Sequence, residues 1–182
     1  MTTLGIAFAS RALSIAIGLV LVAAAFDKLR DWPAFRAAVG NYRLLPSALV
    51  VPFALILPLA EAAAGTGLLV EASRVVAAWA GAAAIGVATL GVAINVVRGR
   101  VDIDCGCGGV EGRQRVSWAL VARNGVLVAL LGAGAAVDSP PHVGATLGAT
   151  LVVSALAFFA LFAAASELVA NRPLLNELEN RP

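Results

Sequence analysis

The chain has 182 residues, 60% hydrophobic and only 13% charged, with a formal net charge of +2. Soluble domains run nearer half apolar and a quarter charged, so the composition is that of a membrane protein and gives nothing in favour of nucleic acid as a partner. One histidine and two cysteines exclude His-rich metal sites, multi-histidine proton relays and a disulfide-stapled scaffold.

Apolar runs of about 20 residues, the length that crosses a hydrocarbon core, alternate with short charged clusters. The first run covers residues 12–26. It ends in Ala23-Ala24-Ala25, which resembles a cleavage site. Yet Lys28, Arg30, Arg36 and Arg43 follow it, whereas a signal peptide carries its positive charge ahead of the apolar stretch, so the run reads as a span. Asp31 is then placed to cap a short helix with Pro33 in its first turn. Trp32, Phe35, Val39 and Tyr42 recur at helical spacing, which predicts a short interfacial helix with its aromatics at headgroup depth.

Four more spans follow, at 47–70, 75–97, 116–137 and 143–166, with a loop at 98–115 between the third and fourth. Residues 1–170 thus form a single transmembrane helical domain, and 171–182 a polar tail expected to lie on the surface or fray. In lipid every backbone amide must be satisfied within its own segment, so the fold class is all-α, a polytopic membrane helix bundle of about five transmembrane helices. Gly81, Ala84, Gly86, Ala88 and Gly91 are small enough to let neighbouring helices approach closely. With five spans, most Lys and Arg residues share one side with the 98–115 loop, and only Arg11 and Arg74 fall on the other. The positive-inside rule therefore places that loop in the cytoplasm and the N-terminus outside.

The chemistry concentrates in Asp102-Ile103-Asp104-Cys105-Gly106-Cys107-Gly108-Gly109. Three neighbouring glycines permit positive φ and close approach by another backbone. A disulfide across one intervening residue closes a small, strained ring, which suits an exchanging pair better than a permanent staple. Arg98, Arg100, Arg113 and Arg115 outnumber the nearby acids Asp102 and Asp104, which favours thiolate character. The same two thiolates, with Asp102 or Asp104, are also suited to chelating a soft metal ion.

Arg123 and Asn124 lie within the fourth span, where a guanidinium is costly and marks function by default. From a start roughly 10 Å deep, on a rise of 1.5 Å per residue, Arg123 can reach back toward the cysteine loop. Asn95, Asp27 and Lys28 lie at the loop-side ends of their spans and can join it in one polar cluster. Glu61 sits near the middle of the second span, roughly 20 Å down by the same rise. Pairing it with Arg123 would have to bridge about 10 Å of depth.

Taken in order, several segments resemble the methylamine-utilisation MauE family of membrane proteins and, more loosely, the DoxX-like proteins. They are Phe26-Asp27-Lys28-Leu29, Tyr42-Arg43-Leu44-Leu45-Pro46, Pro58-Leu59-Ala60-Glu61, Asp104-Cys105-Gly106-Cys107 and Arg123-Asn124. Family members usually carry an aromatic one residue after the second cysteine, where this chain has Gly108 and Gly109. The resemblance implies a multi-pass protein of the bacterial inner membrane. It also implies a role, with a thioredoxin-like partner, in processing, transport or disulfide formation of the small subunit of methylamine dehydrogenase.

On this reading one of Cys105 and Cys107 forms a mixed disulfide with a client, the other resolves it, and Arg123 stabilises the attacking thiolate. Asp104, Asn124, Glu61 and Asn95 support them. Carrying electrons across the bilayer would need a quinone or a second redox pair, and the chain has no second pair. Two readings from other classes stand beside it. One is a soft-metal binding or transport protein with Cys105 and Cys107 as ligands; the other is a structural subunit whose loop docks a partner.

Overall fold

The computed structural model describes residues 2–106, 115–137 and 145–179. Among these residues there are six α-helices: α1 (Thr2–Arg30), α2 (Trp32–Asn41), α3 (Ser47–Leu69), α4 (Arg74–Val97), α5 (Trp118–Ala135) and α6 (Ala145–Glu179). A 3-10 turn at Glu71–Ser73 joins α3 to α4. Five of the helices, all but α2, are long and apolar enough to cross a membrane. Among the described residues the only β pairing is an isolated bridge between Asp104 and Arg115. The protein is an all-α membrane bundle.

Two helices outrun the apolar stretches that mark them. α1 begins at Thr2 rather than near Ala12, and α6 runs on to Glu179, through residues expected to fray. Hydropathy marks the part of a helix that lipid tolerates. The helix's own hydrogen bonds are internal, so its polar continuation needs no partner surface.

α1 and α3 cross at two glycines. A Cβ on Gly65 would stand 2.7 Å from the carbonyl oxygen of Gly18, and one on Gly18 would stand 2.8 Å from that of Gly65, so the backbones touch. Gly81 packs against Leu21, and Gly91 lies under the ring of Tyr42, while Gly86 faces open space. The close approach expected of small residues is therefore realised at Gly81 and Gly91 but not at Gly86. Its tightest instance is a pair the sequence did not single out. Ile17, Leu21, Ala64, Leu68, Ala78 and Leu131 form part of the central core.

That crossing sets a step in the bundle. Twelve residues separate Gly18 from the end of α1, and eighteen separate Gly65 from the start of α3. At a rise of 1.5 Å per residue, α3 overshoots α1 by about 9 Å. α2 fills the step. Asp31 Oδ1 accepts from the Ala34 amide at 3.3 Å and Pro33 occupies the first turn, as the sequence predicts. Phe35 turns inward among Ala54, Leu57 and Ala84. Trp32 stays half-exposed, with the Arg36 guanidinium 5.4 Å from its ring centroid.

The opposite end is closed by arginines. Arg11 donates to the carbonyls of Leu68 and Leu69 at 2.8 and 2.7 Å, and Arg74 to those of Gly134 and Val137 at 2.7 Å each. Both guanidiniums also meet Glu71, at 3.0 and 3.2 Å. The C-terminal carbonyls of α3 and α5, which no helical amide can satisfy, thus find charged donors.

Candidate functional site

The segment leading to Cys105 is tied down residue by residue. Past the end of α4, Gly99 takes a left-handed turn (φ 72°) that swings the chain back toward α2. Asn95 is fully buried; its amide donates to the Gly91 carbonyl, and its Oδ1 accepts from Arg100 at 3.1 Å. Arg100 also donates to the carbonyls of Asn41 and Tyr42 at 2.9 and 3.1 Å, which clamps the loop to the end of α2. The Val116 amide donates to the Ile103 carbonyl at 3.1 Å, beside the Asp104–Arg115 bridge, and so draws the two ends of the loop together. Arg115 meets Asp102 at 3.1 Å on the exposed side.

Cys105 lies inside this base, 6% exposed, packed with Val92, Val116 and Leu120. Its carbonyl accepts from the Tyr42 hydroxyl at 3.0 Å. Gly106 follows in the left-handed region (φ 67°), where a Cβ would stand 2.9 Å from that of Ala38 and 3.1 Å from the Phe35 ring. Only glycine fits there, on conformational and on steric grounds alike. Cys107, Gly108 and Gly109 lie outside the described residues, as does Arg113.

Beside Cys105 is a cavity of about 210 Å³, walled by Phe35, Tyr42, Phe53 and Leu57, with Lys28 on its lining. The Lys28 ammonium donates to Glu61 Oε2 at 2.7 Å and to the Ala24 carbonyl at 3.5 Å, and lies 5.8 Å from the Phe35 ring centroid. Both members of this ion pair are buried. The partner of Glu61 is therefore Lys28 and not Arg123.

Arg123 belongs elsewhere. Its Nε and Nη2 donate to Asn124 Oδ1 at 3.2 Å, its Nη1 donates to Ser166 Oγ at 3.2 Å, and its guanidinium lies 5.4 Å from the Phe162 ring centroid. It lines a larger apolar cavity of about 760 Å³ between α1, α5 and α6, separate from the one that Cys105 lines. The structure thus joins Arg123 to Asn124, Glu61 to Lys28, and Asn95 to Arg100 at the loop entry; among the described residues these are three separate pairings. Sequence reasoning missed Tyr42 as the donor to Cys105 and Arg100 as the clamp. Lys28 was legible as the nearest cation to a buried carboxylate, had the spans not been given a common floor. Among the described residues no group of three or more His, Cys, Asp or Glu side chains is placed to hold a metal ion.

Five membrane-length helices, a clamped cysteine segment at one end and a buried ion pair beneath it define a polytopic helical membrane protein. The family described as "Methylamine utilisation protein MauE" matches residues 6–137, and the chain belongs to that family. It is 44% identical over 159 residues to the methylamine utilization protein MauE of Paracoccus denitrificans, covering 86% of this chain and 85% of that one. It is 41% identical to the MauE of Paracoccus versutus (84% and 82% covered) and 48% identical over a shorter stretch to that of Methylophilus methylotrophus (52% and 50% covered). No solved structure matches the chain.

Proposed function

We propose that this protein serves methylamine utilisation as a membrane accessory factor for thiol–disulfide exchange during maturation of a partner protein. The small subunit of methylamine dehydrogenase is the client that the family resemblance implies. The observation that carries the reading is the way Cys105 is held. A loop that only joined two spans would need neither Arg100 across the end of α2, nor the Tyr42 hydroxyl on the Cys105 carbonyl, nor a left-handed Gly106 against Phe35. Fixing one thiol of a pair two residues apart favours exchange, because the attacking and leaving sulfurs must align.

In this reading Cys105 and Cys107 are the exchanging pair. Lys28 lines the cavity beside Cys105, and Arg123, with Asn124, secures α5 against α6. Asp104 closes the loop base, while Glu61 and Asn95 hold Lys28 and Arg100 in place. The partner is a client protein with cysteines, or a thioredoxin-like protein that relays to it. By the charge rule the loop lies on the cytoplasmic side of the bacterial inner membrane.

The test is the thiol state of the client and of this chain in intact cells, read by gel shift after alkylation. Cys105→Ser and Cys107→Ser each remove the disulfide that a client thiolate would attack, so each is expected to leave client thiols reduced. Client thiols unchanged in both variants would sink the proposal. Stoichiometric soft metal bound by the reduced protein, and lost in both variants, would replace it with metal binding. Labelling of the loop by a membrane-impermeant reagent from outside would overturn the charge-based orientation.

A further inference from the structure

We infer that the cavity beside Cys105 is a binding site for the ring of a membrane quinone, the oxidant to which the cysteine pair passes its electrons. The inference rests on the exchange reading above and supplies what that reading lacks, an electron acceptor.

The lining dictates the ligand. Phe35, Tyr42 and Phe53 present aromatic walls, and the remaining side chains are almost all aliphatic, so a flat, uncharged ring is favoured over a polar metabolite. A volume of about 210 Å³ lies below the ~300–1,000 Å³ of sites for drug-sized ligands and suits one substituted ring. Val87 and Leu90, also on the lining, are 51% and 61% exposed on a membrane-spanning helix. The cavity therefore opens sideways toward lipid, where an isoprenoid tail can remain while the ring enters.

The polar group points the same way. An ammonium has three N–H donors, and the protein gives Lys28 two acceptors, Glu61 and the Ala24 carbonyl. Among the described contacts its third N–H meets no oxygen acceptor, and the ammonium lies 5.8 Å from the ring centroid of Phe35, a wall of the cavity. The Glu61 carboxylate neutralises the ammonium, so the site attracts a carbonyl oxygen without attracting an anion. A quinone carries such oxygens, and a saturated lipid tail does not.

The chemistry balances. The Cys105 and Cys107 thiols lose their two S–H bonds and form one S–S bond. The two electrons and two protons pass to the quinone oxygens, giving the quinol. A client dithiol then reduces the pair again by exchange and leaves as a disulfide.

The experiment uses the full chain in nanodiscs with a short-chain benzoquinone as the probe. Binding is read by photo-crosslinking on the Cys105→Ser variant, and electron transfer by quinol formed per pair oxidised in pre-reduced wild type under argon. The expected results are saturable labelling on α2 or α4 and one quinol per disulfide. Ala88→Phe, which fills the cavity wall, should weaken labelling by roughly tenfold or more. Labelling that does not saturate, or that a saturated fatty acid displaces as well as the quinone does, overturns the inference even where client exchange proceeds. If client exchange fails in cells while Cys105→Ser still binds the quinone in this cavity, the quinone site stands and the exchange reading falls.

Discussion

The ammonium of Lys28 and the carboxylate of Glu61 meet at 2.7 Å, 33 residues apart in sequence, with side chains only 5% and 4% exposed. In this setting the pair is all or nothing. Removing one partner leaves a buried charge without compensation, at a cost of about 3–5 kcal/mol, whereas removing both in favour of apolar groups of similar volume can be nearly neutral. Lys28→Met and Glu61→Leu should each lower stability in denaturant titrations of the detergent-solubilised protein, and the double variant should recover most of the loss. Additive losses in the double variant would show that the two charges are not coupled.

The crossing of α1 and α3 gives a sharper steric test. Gly65→Ala puts a methyl 2.7 Å from the Gly18 carbonyl and 2.8 Å from a Val22 methyl, both on a helix held by the rest of the bundle. The backbones must part, at a cost of about 1–3 kcal/mol. Gly86→Ala and Gly125→Ala have nothing within 4 Å and serve as controls. Relief of glycine's entropic cost in a helix should leave them neutral or up to about 1 kcal/mol more stable. Equal behaviour of all three variants would refute the close crossing.

What the sequence made legible follows from what it encodes locally. Runs of apolar residues bounded by charges predicted about five spanning helices, and five of the described helices are long and apolar enough to cross a membrane, because the bilayer requires such runs within each segment. Asp31 and Pro33 announced α2 through cap chemistry confined to one turn. Relative heights were not legible. They come from where Gly18 meets Gly65, a tertiary fact, and giving the spans a common floor separated Glu61 from the cation that pairs with it. The inward turn of Phe35 follows from the same step, since the side of α3 left uncovered by α1 has to be buried by α2. At the site, the glycines signalled an unusual backbone, and Gly106 has one, but the hydroxyl of Tyr42 on the Cys105 carbonyl has no sequence signature.

Arg74 offers a test at the far end of the bundle. It donates to two carbonyls at the C-terminus of α5 while its Nε meets Glu71, and its side chain is buried. Charged hydrogen bonds of this kind contribute about 1.5–3 kcal/mol each. Arg74→Ala should therefore fray the end of α5, seen as faster hydrogen exchange of the amides at 133–137. Arg74→Lys retains the charge but lacks the planar fork that spans both carbonyls, so it should rescue only part of the protection. Unchanged exchange in Arg74→Ala would mean that α5 holds its end without the cap.

The hold on Cys105 is tested by its reactivity, in a Cys107→Ser background so that one thiol reports. Cys105, a residue only 6% exposed, should react with a bulky maleimide when the loop opens, so the alkylation rate follows the population of open loop. Tyr42→Phe removes the hydroxyl that meets the Cys105 carbonyl. The loss of about 0.5–1.5 kcal/mol should raise the rate by roughly two- to tenfold. Gly106→Ala acts through two further causes. A left-handed φ costs a side-chain-bearing residue about 1–2 kcal/mol, and the new methyl would lie 2.9 Å from Ala38 Cβ, so the segment must lift from α2. It should therefore open the loop more than Tyr42→Phe does. Because the two changes act on adjacent residues of one segment, their effects in combination should fall short of additive once the loop is already lifted. A Gly106→Ala variant that reacts at the parental rate would mean that the segment does not rest on α2 and that Cys105 is not held in place by it.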